Sequence, residues 1–188
     1  LLGGLGGIKT RLLKPLRNLS MTEMRLPAGL ELMRPLISGS GRVEPAWIDH
    51  HNHMNVGYYG VAIDACLHGF TDVVDMGKAY RDTTNCGFFV LESHQTFKSE
   101  MRLGDEFVIT CQLLDYSPKL MHIMAAMYRL GDDALAATAE YLWGHVDRER
   151  RRVVPFPADR LQALARLHES HQAFVPVISA GLSIGIKR

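Results

Sequence analysis

Between Val56 and Met76 the chain is apolar except for five polar side chains that recur at helical spacing. Their positions at i, i+4, i+7, i+8 and i+11 fall on one narrow stripe of an α-helix. These residues are Asp64, His68, Thr71, Asp72 and Asp75. Because a helix with so narrow a polar face is enclosed by protein on most sides, the pattern predicts a long buried helix. Asn55 is well placed as its N-cap, and Gly77 marks its expected end.

Four strand-like runs follow the helix, separated by short turns that contain glycine, aspartate or proline. The runs cover Gly87–Glu100, Asp105–Leu114, Lys119–Leu130 and Ala134–Asp147. Their similar lengths and short connections predict an antiparallel meander. A shorter candidate strand, Arg42–Ile48, precedes the helix and contains Pro45, which favours an edge or a bent strand. After the meander, an amphipathic pattern predicts a terminal helix over Pro157–Gln172.

The order of these elements is a strand, a buried helix, four antiparallel strands and a terminal helix. One antiparallel sheet curled around one nearly apolar, central helix is the hotdog fold, so the predicted fold class is α+β. Such a sheet leaves edge strands unpaired, and a second subunit is the usual way to cover them. The sequence therefore predicts a homodimer or a dimer of dimers.

The chain of 188 residues fits one domain with short appendages. We expect an N-terminal extension over residues 1–40, the hotdog domain over 41–157, and a C-terminal helix and tail over 158–188. A net charge of +1 gives no electrostatic reason to expect nucleic acid as a partner. The three cysteines have no metal-like spacing and lie among apolar residues, which indicates reduced thiols and a cytoplasmic protein.

The first twenty residues differ from the rest because they carry four basic residues and no acid. Three hypotheses are an amphipathic targeting peptide, an arm on a membrane surface, and a stretch translated upstream of a start at Met21. Glycines interrupt their apolar run, which is too short to span a membrane. Their charges follow that run, whereas in a secretory signal they precede it. We expect residues 1–20 to be disordered, outside the functional unit, and without a membrane partner.

A polar cluster, Asp49–His53, lies directly before the predicted helix. The first backbone N–H groups of a helix lack intrahelical partners and lie at the positive end of its dipole, so they can bind the oxygen of a polarised carbonyl group. A carboxylate a few residues upstream can act there as a general base or a nucleophile. Asp49 could instead merely cap the helix, although Asn55 is the better-placed cap.

Four residues of this segment, Asp49, His53, Asn55 and Tyr59, follow the pattern Asp-x-x-Gly-His-x-Asn-x-x-x-Tyr. The sequence here resembles the 4-hydroxybenzoyl-CoA thioesterase-like branch of the hotdog superfamily, over residues 43–157. Further matches are similar to the betainyl-CoA thioesterase subgroup, whose members occur alone or fused to carnitine dehydrogenases. These matches are Leu91–His94, Phe97, Glu100 with Leu103–Asp105, and His145–Asp147 with Pro155–Pro157.

The resemblance implies an acyl-CoA thioesterase in which Asp49 is the catalytic carboxylate. It implies that the backbone N–H groups of Val56 and Gly57 bind the carbonyl oxygen, and that His53 and Asn55 shape the loop and orient water. CoA enters as part of the substrate, and no metal or redox cofactor is expected. The histidines of the cluster suggest a metal site, but neighbouring side chains point different ways and no ligand set is complete.

Two positions depart from the family pattern. Asn52 stands where the family usually has glycine, and asparagine tolerates a left-handed backbone better than other non-glycine residues. Asp64 stands on the helix where glutamate is common. Because a sister branch of hotdog thioesterases carries its catalytic carboxylate on the helix, Asp64 stays a second candidate.

For the acyl group, we expect a site lined by Tyr58, Tyr59, Glu92 and His94. Tyrosine faces attract a trimethylammonium group and a carboxylate adds charge attraction, so a small cationic acyl group such as betainyl fits. The alternative is that both tyrosines are core or interface residues and the pocket takes neutral short chains.

Basic residues are candidates for the phosphates of CoA, and we expect Lys119 and Arg129 to take part. The run Arg148–Arg152 is a further candidate or a solvated turn. Two other functions stay open: a hotdog hydratase or dehydratase, which needs a histidine paired with an acid such as His94 with Glu92, and a non-catalytic acyl-CoA-binding module.

We predict that removal of residues 1–20 leaves the melting temperature and the activity nearly unchanged, because that stretch has no sustained apolar periodicity with which to dock. Thermal unfolding and a thioesterase assay of the truncated chain test this. A fall of several degrees would show that the stretch packs on the core.

Overall fold

The computed structural model describes residues 36–172 and 185–186. Its strands are Leu36–Arg42 (β1), Cys86–Phe97 (β2), Glu106–Tyr116 (β3), Leu120–Arg129 (β4), Leu135–Asp147 (β5) and Arg152–Val153 (β6). Its helices are Val56–Val73 (α1), Lys78–Thr84 (α2) and Ala158–His171 (α3). This curled antiparallel sheet with a long central helix confirms the predicted α+β hotdog fold. The prediction for residues 1–20 lies outside the described residues.

The sheet has the strand order β1-β3-β4-β5-β2, with β6 paired to β5 and every pairing antiparallel. The predicted strands agree with β2 to β5 within three residues at each end. The predicted four-strand meander is wrong in one respect, because β2 pairs with β5 and not with β3. Sequence spacing shows where strands end, but it does not show whether β2 pairs with β3 or with β5.

The central helix α1 buries its apolar face in the hollow of the sheet. Ile63, Leu67 and Phe70 are at most 1% exposed, and they share one core with alternate residues of the strands. Asn55 is confirmed as the N-cap, since its Oδ1 accepts a hydrogen bond of 3.0 Å from the backbone N–H of Gly57. The predicted end at Gly77 is wrong: the helix stops at Val73.

Gly77 instead directly precedes the short helix α2, which the sequence pattern did not predict. The turn between the two helices contains Asp75 at φ +52, so a non-glycine residue makes the left-handed turn. Asp75, and not Gly77, is therefore the left-handed residue that follows the end of α1.

The strand β1 runs so close to Cys66 of α1 and to Phe107 of β3 that two of its glycines are required. A Cβ on Gly39 would lie 2.8 Å from the Sγ of Cys66, and a Cβ on Gly41 would lie 2.5 Å from the Phe107 ring. The predicted strand Arg42–Ile48 is wrong, since the strand is Leu36–Arg42 and contains a Ser-Gly-Ser-Gly stretch whose composition is typical of a turn. Pro45 begins a 3-10 turn instead.

The terminal helix α3 confirms its prediction and is fixed to β3 by its last residue. The buried ring of His171 accepts a hydrogen bond of 2.8 Å at Nδ1 from the backbone N–H of Leu113. A backbone N–H can only donate, so Nδ1 carries no proton in the folded state. Burial lowers the pKa of His171 to about 4, and the charge of His168 acts in the same direction.

We predict that His171 makes the fold sensitive to mild acid. Its folded-state pKa lies below the unfolded value of 6.5, so the unfolded chain binds more protons and stability falls as the pH drops below about 6.5. The residue should account for about 2 kcal/mol of lost stability between pH 7 and pH 5. His171→Asn, which keeps an acceptor near Nδ1, should lose less over this range in urea unfolding.

The exposed His68 of α1 provides the control, because His68→Asn should keep the wild-type pH dependence. Equal pH dependence of the His171→Asn and wild-type proteins would contradict the assignment.

Candidate active site

The segment before α1 is a closed loop held by its own backbone. Asn55 N–H donates to the Trp47 carbonyl at 2.8 Å, and Asp49 N–H donates to the His53 carbonyl at 3.1 Å. Asn52 makes the turn at φ +63, a left-handed conformation that glycine adopts most easily and asparagine tolerates. The departure from the family pattern at this position therefore leaves the turn intact.

The Asp49 carboxylate lies inside this loop and is held by one hydrogen bond. Its Oδ1 accepts from the backbone N–H of His51 at 2.9 Å, and it lies 4.0 Å from Nδ1 of His53. The amide hydrogen bond lowers the pKa of Asp49, partial desolvation opposes it, and the charges of the neighbouring histidines lower it further. The carboxylate is therefore ionised at neutral pH.

The two amides expected to bind a carbonyl oxygen differ in this structure. Gly57 N–H already donates to the Asn55 side chain at 3.0 Å. Val56 occupies the first helical position, where no intrahelical acceptor exists for its N–H. Val56 is thus the more available donor, and Gly57 becomes available only when the Asn55 side chain turns away.

A cavity of about 280 Å³ lies between the start of α1 and the end of β2. Its lining residues are His53, Met54, Val56, Tyr59, Phe97, Lys98, Ser99 and Glu100. The rings of Tyr59 and Phe97 meet edge to face at 5.2 Å between centroids. Five of its lining residues are absent from the predicted site: Met54, Phe97, Lys98, Ser99 and Glu100. Of these, Phe97 and Glu100 are among the subgroup matches.

The predicted acyl-site residues do not all come together within one subunit. Tyr59 lines the cavity, whereas Tyr58 stacks on Trp47 at 5.8 Å with an interplanar angle of 15°. Glu92 and His94 are exposed on β2 and pair with Leu142 and Glu140, which alternate with the β5 residues that face α1. Both side chains therefore point to the outer face of the sheet.

The two cationic residues expected to hold CoA phosphates lie at opposite ends of β4. Lys119 is exposed just before the strand, and Arg129 is its last residue. Arg129 already donates from Nη2 to Asp132 at 2.6 Å and from Nη1 to the Glu100 carbonyl at 2.5 Å. Since β4 is roughly 30 Å long, one subunit cannot use both residues on the same phosphate.

The alternative carboxylate, Asp64, lies away from this cavity. It follows Asn55 by nine residues, which is roughly 13 Å along the helix axis. Burial is the main cause that raises the pKa of Tyr141 to about 12, and the charge of Asp64 adds to this rise. Of the two candidates, Asp49 is the carboxylate in the loop before α1, and it lies 4.0 Å from Nδ1 of His53, which lines the cavity.

Within residues 36–172 and 185–186, no three His, Cys, Asp or Glu side chains are grouped so that they could hold a metal ion. In the same part of the chain, none of the helices is both long enough and apolar enough to cross a bilayer.

The sequence is similar to proteins of known activity. A betainyl-CoA thioesterase of Pseudomonas aeruginosa is 27% identical over 144 residues, which cover 77% of this chain and 91% of that protein. An L-carnitine dehydrogenase/betainyl-CoA thioesterase of Rhizobium meliloti is 29% identical over 85% of this chain, and the match covers 32% of that longer protein.

Solved structures agree with the fold. A hypothetical protein from Staphylococcus aureus in complex with CoA superimposes with a TM-score of 0.69 and 26% identity, over 83% of this chain and 96% of that chain. A putative thioesterase from Pseudomonas putida gives a TM-score of 0.68 at 24% identity, over 83% and 99% of the chains.

A family model also matches well over half of the chain, at residues 43–164, and its family is the thioesterase-like superfamily. That range contains the Asp49 loop, α1, α2 and the strands β2 to β6. The chain therefore belongs to the thioesterase-like superfamily, and it is a thioester hydrolase.

Proposed function

We propose that the chain hydrolyses acyl-CoA thioesters at the Asp49 loop. Water adds to the thioester carbonyl, the C–S bond breaks, and free CoA and a carboxylic acid are released. The observation that carries this proposal is the position of an ionised Asp49 in the loop before α1, 4.0 Å from Nδ1 of His53, which lines an open cavity. Relatives named as betainyl-CoA thioesterases, and a fold neighbour in complex with CoA, support an acyl-CoA substrate.

In this mechanism Asp49 either takes a proton from the attacking water or attacks the carbonyl itself. The His51 amide holds the Oδ1 atom. In this mechanism the other carboxylate oxygen faces the substrate. The N–H of Val56, joined by that of Gly57 when Asn55 turns away, stabilises the developing oxyanion. His53 shapes the loop and orients water.

A homodimer formed through β2 completes the proposed site. β2 is an outer strand of the described sheet, and Phe89, Val90 and Leu91 on it are 37–48% exposed. Unpaired strand edges with apolar side chains are suited to pairing with a second copy. Such pairing would be antiparallel, so it would bring the Cys86 end of one strand beside the Phe97 end of its partner.

The dimer also offers a place for the phosphates of CoA. Lys119 lies at the end of the sheet that carries the basic run Arg148–Arg152, since the His145 N–H donates to the Lys119 carbonyl. That end is far from the Asp49 loop within one subunit, and antiparallel pairing of β2 would bring it toward the partner's loop. We therefore assign the phosphates to Lys119 and this run across the subunit boundary.

Hydration of a double bond is less well supported by the same geometry. A hydratase needs a histidine and an acid beside the thioester, and Glu92 with His94 was the candidate pair. Their side chains lie on the outer face of the sheet, away from the cavity at α1.

The three cysteines are free thiols, which supports a reducing, cytoplasmic setting for the hydrolase.

The acyl group proposed for this cavity is small and cationic. The rings of Tyr59 and Phe97 and the carboxylate of Glu100 line one cavity of about 280 Å³. Aromatic faces attract quaternary ammonium groups by about 0.5–2 kcal/mol each, depending on exposure. Glu100 adds less than a free carboxylate, because Arg102 also pairs with it. Betainyl, the acyl group in the names of the relatives, has this chemistry.

We predict that Asp49→Asn folds normally and loses at least about 100-fold in kcat, the scale of losing a general base. The matched control is Asp64→Asn, which removes the carboxylate on α1 and should lose far less. Both variants are measured by release of the CoA thiol from acyl-CoA. The reverse ranking would move the catalytic carboxylate onto the helix.

We predict that betainyl-CoA is preferred in kcat/KM by roughly 10-fold over 3,3-dimethylbutyryl-CoA, in which carbon replaces the cationic nitrogen. Glu100→Gln should reduce this ratio because it removes the charge and keeps the shape. Equal values for the two thioesters would leave a thioesterase without cation recognition.

A further inference from the structure

The backbone at Glu100 and Met101 is held by three separate parts of the fold. The Glu100 carbonyl accepts a hydrogen bond of 2.5 Å from Nη1 of Arg129. The Met101 N–H donates to the hydroxyl of Tyr59 at 3.0 Å, and the Met101 carbonyl accepts from Met54 N–H at 2.7 Å. We refer to these three hydrogen bonds as the Met101 anchor.

The Met101 anchor ends in the loop that carries Asp49. Met54 lies between His53 and Asn55, and its backbone pairs with Ile48 on the other side of that loop. Met54 and Met101 are at most 1% exposed, so neither peptide group can exchange its partner for water without opening the core. A shift of Met101 would therefore move the segment that positions Asp49.

The Arg129 side chain is built to hold this anchor. Its Nε and Nη2 donate to the two carboxylate oxygens of Asp132 at 3.1 and 2.6 Å, and its Nη1 reaches the Glu100 carbonyl. The bidentate edge that a phosphate would occupy is thus taken by Asp132. The hydrogen bond to Asp132 raises the pKa of Arg129, which keeps the donor charged.

We infer that Arg129 and Tyr59 are positioning residues that act on Asp49 through the Met101 anchor, and that Arg129 is not a ligand of the CoA phosphates. This inference rests on the proposed function of the Asp49 loop. Tyr59 acts through its hydroxyl, while its ring lines the cavity.

The first test compares two substrates that share one acyl group, an acyl-CoA and the acyl-pantetheine thioester, which lacks the nucleotide phosphates. Arg129→Gln should lower kcat about 10- to 100-fold on both substrates, because a small misplacement of the reacting groups costs that much. KM should stay within about threefold on both. A rise in KM confined to the acyl-CoA would show a phosphate ligand and overturn the inference.

Arg42→Gln is the matched control. Arg42 lies near the same end of the sheet and pairs with the side chain of Glu106, without touching the Met101 anchor. It should keep wild-type kcat and KM on both thioesters. Arg129→Lys should recover part of the lost kcat, because an ammonium can reach the Glu100 carbonyl but cannot also form bidentate hydrogen bonds with Asp132.

The second test uses Tyr59→Phe, which keeps the ring and removes the acceptor for Met101 N–H. It should reduce kcat with little change in KM, as Arg129→Gln does. In an Asp49→Asn background, both substitutions should cost little more, because residues that act through Asp49 lose their effect when it is gone. Full additivity in that background would overturn the inference.

A third measurement does not depend on activity. At equal melting temperature, Arg129→Gln and Tyr59→Phe should speed amide hydrogen exchange in the segments 47–55 and 98–105 at least about threefold, and Arg42→Gln should not. Unchanged exchange together with unchanged kcat would show that the Met101 anchor does not position the Asp49 loop. If wild-type protein releases no CoA from any acyl-CoA, the proposed function fails, and the exchange experiment still decides the anchor.

Discussion

The candidate site depends on how the first turn of α1 is held against the sheet. Burial of Ile63, Leu67 and Phe70 fixes the helix axis, but burial alone leaves a helix free to slide along that axis. Directed hydrogen bonds remove this freedom. Asn55 N–H is bound to the Trp47 carbonyl, and Met54 N–H is bound to the Met101 carbonyl. The helix start, and with it Asp49, is thereby set relative to β2 and β3.

Fixing the loop also decides the electrostatics of Asp49. An amide hydrogen bond and neighbouring histidines lower the pKa of its carboxyl, so the carboxylate is ionised at neutral pH and is a weaker base than an ordinary one. A weak base must compensate by position. In the proposed mechanism, accurate placement beside the Val56 N–H, where negative charge would develop on the carbonyl oxygen, is then worth more than basicity. This ties the proposed chemistry to the rigidity of the loop.

The sequence predicts the parts of this protein that repeat a local pattern. The polar stripe of α1 follows from helical spacing, its Asn55 cap from residue type, and the lengths of β2 to β5 from the turn residues between them. The position of β2 beside β5 and the glycines of β1 do not, because close approach to Cys66 and Phe107 is a tertiary fact. At the site, the Asp49 loop was predicted from its residues, whereas the hydrogen bonds of Arg129 and Tyr59 to residues 100 and 101 leave no trace in spacing.

The two faces of β2 explain why the predicted acyl site divides. Phe97 faces α1 and lines the cavity, while Glu92 and His94 face outward, because strand side chains alternate. In a proposed dimer paired through β2, the exposed edge near Val90 becomes interface, and the basic end of one sheet lies near the partner's Asp49 loop. Charge for the CoA phosphates and a carboxylate for the thioester then come from different subunits. Within a single subunit the basic residues and Asp49 lie at opposite ends of the sheet. In the proposed dimer each subunit would therefore supply one part of a shared site.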